Sequence, residues 1–149
     1  MAKDKIDLRR NVKECDVTTQ SLKMFFDSFP CKAYIDDDGL FIEVDEIDAP
    51  ILVSINHDAK YISFSCIFDV SKTTPYQAKL LIVNEVNNSI PFIKFILPPE
   101  GESNDCVYTV SDLGFIGGMT FDELDRAIGS FIAALRLALK DSELYKLNG

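Results

Sequence analysis

The sequence predicts an α+β domain, an antiparallel twisted sheet of about five to six strands flanked by helices, in the order α-β-β-β-β-α-β-β-α. Three observations predict it. Between Tyr61 and Phe68, Ile62, Phe64, Cys66 and Phe68 alternate with Tyr61, Ser63 and Ser65, the pattern of a strand with one buried and one wetter face. Near the C-terminus, Phe121, Leu124, Ile128, Phe131, Leu135 and Ala138 recur at steps of three and four, which lays one stripe along a helix. Asp37-Asp38-Gly39 between two short apolar runs is a hairpin signal, and consecutive strands joined by short turns favour antiparallel pairing.

In chain order, residues 1–14 are charged and weakly periodic and read as a flexible N-terminal tail ahead of a domain over 15–149. A first helix starts at Asp16 or Thr18, carries Leu22, Phe25, Phe26 and Phe29 on its apolar side, and stops at Pro30, which removes a donor and restricts its predecessor. Cys31–Asp36 and Leu40–Glu46 form the hairpin. Ile51–Asn56 is a third strand, and the turn His57-Asp58-Ala59-Lys60 leads into Tyr61–Phe68. Thr74, Pro75 and Gln77 offer a cap, a first helical residue and a capping-box partner for a helix reaching about Asn88. Pro91–Leu97 and Cys106–Val110 are two more strands around a polar loop. Thr120 and Glu123 then make a second capping box, with Asp122, Glu123 and Asp125 at the favourable positive end of the last helix.

Composition excludes several classes. With 149 residues and 47% hydrophobic content the chain is one domain with a sizeable core, and it contains no apolar run of about 18 residues. Fifteen Lys and Arg against twenty-four Asp and Glu leave a net charge of −9, which repels nucleic acid and anionic membranes. Cys15, Cys31, Cys66 and Cys106 are too far apart for a zinc or redox pair. The first residues lack the apolar stretch of a secretion signal, so the reading expects a cytoplasmic protein with reduced thiols, and with Cys66 and Cys106 as small core residues.

The helix leading from Leu81-Ile82-Val83-Asn84-Glu85-Val86-Asn87, the short strand after it, and Gly117-Gly118-Met119-Thr120 running into an aromatic-rich helix resemble the YbjN-like family of bacterial sensory transduction regulators. The resemblance spans roughly residues 16–141. It implies a fold similar to type III secretion chaperones, a homodimer, and no catalytic residues to carry across.

The remaining polar constellations are weak. His57, the single histidine, neighbours Asp58, but adjacent strand residues point to opposite faces, so it reads as a solvated turn residue. Asp36-Asp37-Asp38-Gly39 lacks the register of a calcium loop and reads as a turn. Gly114, Gly117 and Gly118 lack the lysine of a phosphate loop and read as a tight strand-to-helix turn. Ser54, Ser63 and Ser65 have no basic partner. Asn84, Asn87 and Asn88 share one helix face, suited either to holding neighbouring backbone or to binding a peptide. Ile132, Ala134 and Leu137 widen the apolar surface of the last helix beyond one stripe, which means burial on more than one side or a partner.

These readings favour a non-enzymatic protein-binding module, chaperone-like or a regulatory adaptor, without cofactor or bound metal. The candidate partner-binding residues are Phe131, Ile132, Leu135, Leu139, Asn84 and Asn88. A sensor responding to a small ligand or divalent metal through the acidic loops or the Asn84 face is the alternative.

Overall fold

The structure, a computed structural model, describes residues 6–102 and 105–140. Its elements follow from local chemistry. Thr18 caps the first helix, α1 (Thr19–Asp27): its hydroxyl accepts from Ser21 N at 3.1 Å, and Ser21 Oγ accepts from Thr18 N at 3.0 Å. The reciprocal box forms with serine in place of the usual glutamate. Strands β2 (Lys32–Asp36) and β3 (Gly39–Glu43) make a two-residue hairpin, and Asp36 Oδ1 accepts from Asp38 N and Gly39 N at 2.8 and 3.2 Å. The acidic run is thus organised around its own turn, as an aspartate favours. Strands β4 (Ile51–Asn56) and β5 (Tyr61–Asp69) follow. Asn56 Oδ1 accepts from Ala59 N in the turn between them, and His57 is exposed there.

Helix α2 (Tyr76–Ser89) departs from expectation at its start. Pro75, not Thr74, occupies the cap position, with ψ 146°, and no side-chain cap forms. The expected Thr74–Gln77 box is therefore absent, because the chain turns helical one residue later. Strand β6 is only Lys94–Ile96, whereas β7 (Cys106–Gly114) runs four residues past the expected end. The run before β6 is apolar enough for a strand, but Phe92 adopts φ 69°, which breaks the extended path. Helix α3 (Phe121–Lys140) begins with the expected box: Thr120 N donates to Glu123 Oε2 at 2.7 Å and Glu123 N to Thr120 Oγ1 at 3.1 Å. Arg126 pairs with Asp122 one turn earlier.

Within the expected N-terminal lead-in the structure adds a short strand, β1 (Asn11–Val12), antiparallel to β8 (Met119–Thr120). Leu8 O accepts from Asp122 N at 2.8 Å, satisfying a free donor at the start of α3. Glu14 accepts from Gly117 N. The Phe115–Gly118 turn needs positive φ at Gly117 (81°), and a Cβ on Gly118 (φ 100°) would stand 2.7 Å from Val12 O. Glycine there gives the tight turn the sequence suggests and also admits the backbone of β1. Residues 1–5 of the lead-in and 141–149 of the domain lie outside the described residues.

The larger sheet has the order β2-β3-β4-β5-β7-β6, so β2 and β6 are its edges. Two compact units divide the described residues, with boundaries inside β5, β7 and α3: one holds residues 6–64 with Asp112–Gly129, the other Ser65–Ser111 with residues 130–140. In the first unit Phe25 stacks on Phe121 at 5.4 Å and meets Phe26 edge-on at 5.0 Å, over buried Leu40, Ile42 and Ile51. In the second, Cys66, Phe68, Val83, Val86, Phe95 and Val107 are buried with Phe131 and Leu135. Thr109, also buried, donates to Cys66 O at 3.1 Å.

Candidate protein-docking surface

The alternation that buries one face of β5, β7 and β6 determines what the opposite face displays. Cys66 and Phe68 are buried on β5 and Val107 and Thr109 on β7, so Ile67 and Tyr108 stand on the outer side, 52% and 42% exposed. On β6 Phe95 is buried opposite Thr109, and Ile96, 46% exposed, pairs in register with Tyr108. Three adjacent strands of the second unit thus present Ile67, Tyr108 and Ile96 outward. Scattered exposed apolar residues are ordinary in proteins, whereas a cross-strand group is a docking signal.

Phe92 adds a second signal. It precedes β6, is 85% exposed, and holds φ 69°, where a bulky side chain is strained by about 1–2 kcal/mol. Ser111 Oγ fixes its carbonyl at 2.9 Å. An aromatic ring held in water on a strained backbone contributes little to the fold. The Tyr108 phenol is pushed up from its ordinary pKa, first by hydrogen bonding with the Cys106 thiol and then by desolvation and Glu102, so the hydroxyl stays neutral.

The free edge of β6 is closed. Phe95 N donates to Asn87 Oδ1 and Asn87 Nδ2 donates to Phe95 O, both at 2.8 Å. Phe95 therefore forms the non-hydrogen-bonded pair with Thr109, and its outward backbone groups are consumed by one side-chain amide from α2. All three asparagines on that helix face are exposed, and of them Asn87 holds backbone.

The other sequence candidates sit differently. Phe131, Ile132 and Leu135 are 2%, 5% and 0% exposed, so their surface is spent on the interior of the chain itself, and Leu139 is half-buried. This burial accounts for the breadth of apolar surface on α3 at Ile132, whereas Leu137 is exposed. The signals for the outer face were present but subtle: Ile67 interrupts the polar side of β5, and Phe92 and Ile96 belong to an apolar run too dense for one buried face.

In the first unit a surface groove of about 670 Å³ is lined by Pro30, Lys32, Glu43, Asp45, Asp48 and neighbouring residues. Among the described residues no three His, Cys, Asp or Glu side chains come together as a metal-ligand group, so the acidic loops do not assemble a chelating set there. None of the four cysteines is in a disulfide; Cys66 is buried and Cys106 half-buried. No described helix is long and apolar enough to cross a membrane.

This architecture is shared. A crystal structure of "YbjN, a putative transcription regulator from E. coli" aligns with a TM-score of 0.63 at 14% identity, covering 87% of this chain and 94% of that one. A chain of the HopA1–SchA chaperone–effector complex aligns at TM-score 0.52 and 16% identity, covering 77% and 87%. The Yersinia pestis type III secretion chaperone SycH, solved with a fragment of YscM2, aligns at 0.51 and 16%, covering 80% and 99%. The fold is thus that of YbjN and the type III secretion chaperones, as the sequence resemblance implied. The YbjN family model, described as "Putative bacterial sensory transduction regulator", matches residues 19–140, from the first residue of α1 to the last of α3. The chain belongs to the YbjN family. No curated protein sequence matches it.

Proposed function

We propose that this chain is a non-enzymatic protein-binding module, a chaperone-like or regulatory adaptor of the cytoplasm, that docks an apolar polypeptide segment on the outer face formed by Ile67, Tyr108 and Ile96 with Phe92 beside it. The observation that carries the reading is Phe92: a large ring, 85% exposed, kept at φ 69°. Interfaces draw most of their energy from a few such aromatic anchors. The family's description as a regulator and the chaperone fold of two structural neighbours support the same reading, including its non-enzymatic character. The working form is a homodimer of about 33.4 kDa, twice the 16.7 kDa chain.

Phe92→Gly separates binding from folding. Glycine accepts the positive φ, so relief of strain offsets the extra freedom of the unfolded chain and stability changes by no more than about 1 kcal/mol. Loss of the anchor lowers affinity for the partner about thirtyfold, or about 2 kcal/mol. The partner segment is defined beforehand by a photo-crosslinking residue at position 96, with position 54, exposed on β4, as control. Crosslinking at both positions alike, or unchanged affinity in Phe92→Gly, overturns the assignment.

A further inference from the structure

The second edge of the sheet carries its own complement. A two-residue hairpin closes on Asp36↔Gly39 as a hydrogen-bonded pair, and alternation makes Tyr34↔Phe41 and Lys32↔Glu43 hydrogen-bonded as well. The N–H and C=O groups of Ala33 and Ile35 therefore point away from β3. Among the described residues no side chain caps them as Asn87 caps Phe95, and Ile35 is 39% exposed. Such an edge is a template for another strand.

The sequence of β2, Lys32-Ala33-Tyr34-Ile35-Asp36, specifies which strand fits. Antiparallel pairing of two copies centred on Tyr34 sets Ala33 of each against Ile35 of the other. Those are the residues with outward backbone groups, so the pairing forms four main-chain hydrogen bonds in register. The same register places each Lys32 opposite an Asp36, and Tyr34 opposite Tyr34. Opposite charges and aromatic pairs are the favourable cross-strand combinations. Tyr34 already stacks on Phe41 at 5.6 Å, with Lys32 Nζ 5.6 Å from its ring, so the two copies form a continuous row of four rings.

We infer that β2 is the self-association edge of this protein, and that its occupant is β2 of a second copy, antiparallel about Tyr34. This rests on the homodimer proposed above and gives it a surface and a register. An interface of one strand pair is small, so the dimer is concentration-dependent.

Charge exchange tests the register. Lys32→Glu sets two like-charged pairs across the interface, and so does Asp36→Lys. Each variant alone weakens the dimer about tenfold in sedimentation velocity, while circular dichroism and the melting temperature report the fold. An equimolar mixture of the two restores opposite charges at both ends and recovers the wild-type dissociation constant. A wild type that dimerises, with variants that dimerise equally well or a mixture that recovers nothing, overturns the β2 interface and leaves the dimer standing. A wild type that stays at 16.7 kDa at every concentration overturns both, and protection of the Ala33 and Ile35 amides by a foreign strand in that case assigns the edge to a different partner.

Discussion

The two edges of the larger sheet solve one problem in opposite ways. On β6 the outward N–H and C=O of Phe95 are both bound by the Asn87 side chain, so the edge ends within its own unit. On β2 the outward groups of Ala33 and Ile35 have no such cap among the described residues, and the strand bears opposite charges at its two ends. A capped edge cannot recruit a strand; an open edge with self-complementary ends recruits selectively. The difference separates two roles: β6 can display Ile96 and its neighbours to a partner without inviting strand addition, whereas β2 offers backbone before side chains.

Among side-chain truncations, removing the cap should have the largest effect. Asn87→Ala leaves two partly buried backbone groups without their partner and should destabilise the protein by about 2 kcal/mol, after the small gain in helix propensity from alanine. Asn88→Ala, one residue on and exposed, should change stability by less than about 0.5 kcal/mol. Urea midpoints of the two variants read the contrast directly, and amide exchange at Phe95 should accelerate only in the first. Equal effects would mean that Asn87 is not the cap.

The buried thiol of the same unit gives a pH handle. Burial pushes the Cys66 pKa from 9.0 up to about 12. A group whose pKa is raised by folding stabilises the native state fully below its unfolded pKa and loses that contribution as pH rises toward the folded value. Stability should therefore decline from pH 9 toward pH 12, by about 1 kcal/mol at pH 10. Comparison with Cys66→Val isolates the thiol from lysine and tyrosine titration. A decline of the same size in both proteins would deny the thiol any part. At pH 8, thiol reagents should modify exposed Cys15 quickly and Cys66 slowly.

What the sequence revealed followed the range of the interactions concerned. Short periods and local caps were legible: the Ile51–Asn56 strand, the alternation along β5, the Asp37-Asp38 turn, and the Thr120–Glu123 box all depend on residues within a few positions. The strand pair β1–β8 was not, because Val12 meets Met119 only through the folded chain, and a two-residue strand has no period to detect. The proposed docking face was half legible. Aromatic and apolar residues on α3 drew attention because they were numerous, yet Phe131, Ile132 and Leu135 are numerous because they are buried. Phe92 was hidden inside an apparent strand, since a positive φ at phenylalanine leaves no trace in composition. The self-complementarity of β2 was written in five letters, but it acquires meaning only once the strand is known to be an edge.

A small expected effect on stability is the sharpest test of that edge. Ile35→Pro deletes an N–H that points away from β3, so no ladder bond within the chain is lost. Proline is tolerated at such edge positions, where its ring replaces a donor that faces solvent. Ile35 is 39% exposed, so its side chain also yields little burial energy on replacement. The unfolding free energy should change by less than about 1 kcal/mol, while two of the four hydrogen bonds between copies disappear and self-association weakens more than tenfold. Tyr34→Pro serves as the contrary control: Tyr34 lies in a hydrogen-bonded pair with Phe41, so proline there removes a bond of the hairpin itself and should cost about 3 kcal/mol. If Ile35→Pro proves as damaging to the fold as Tyr34→Pro, the outward direction assigned to Ile35 is wrong, and the register of the dimer fails with it.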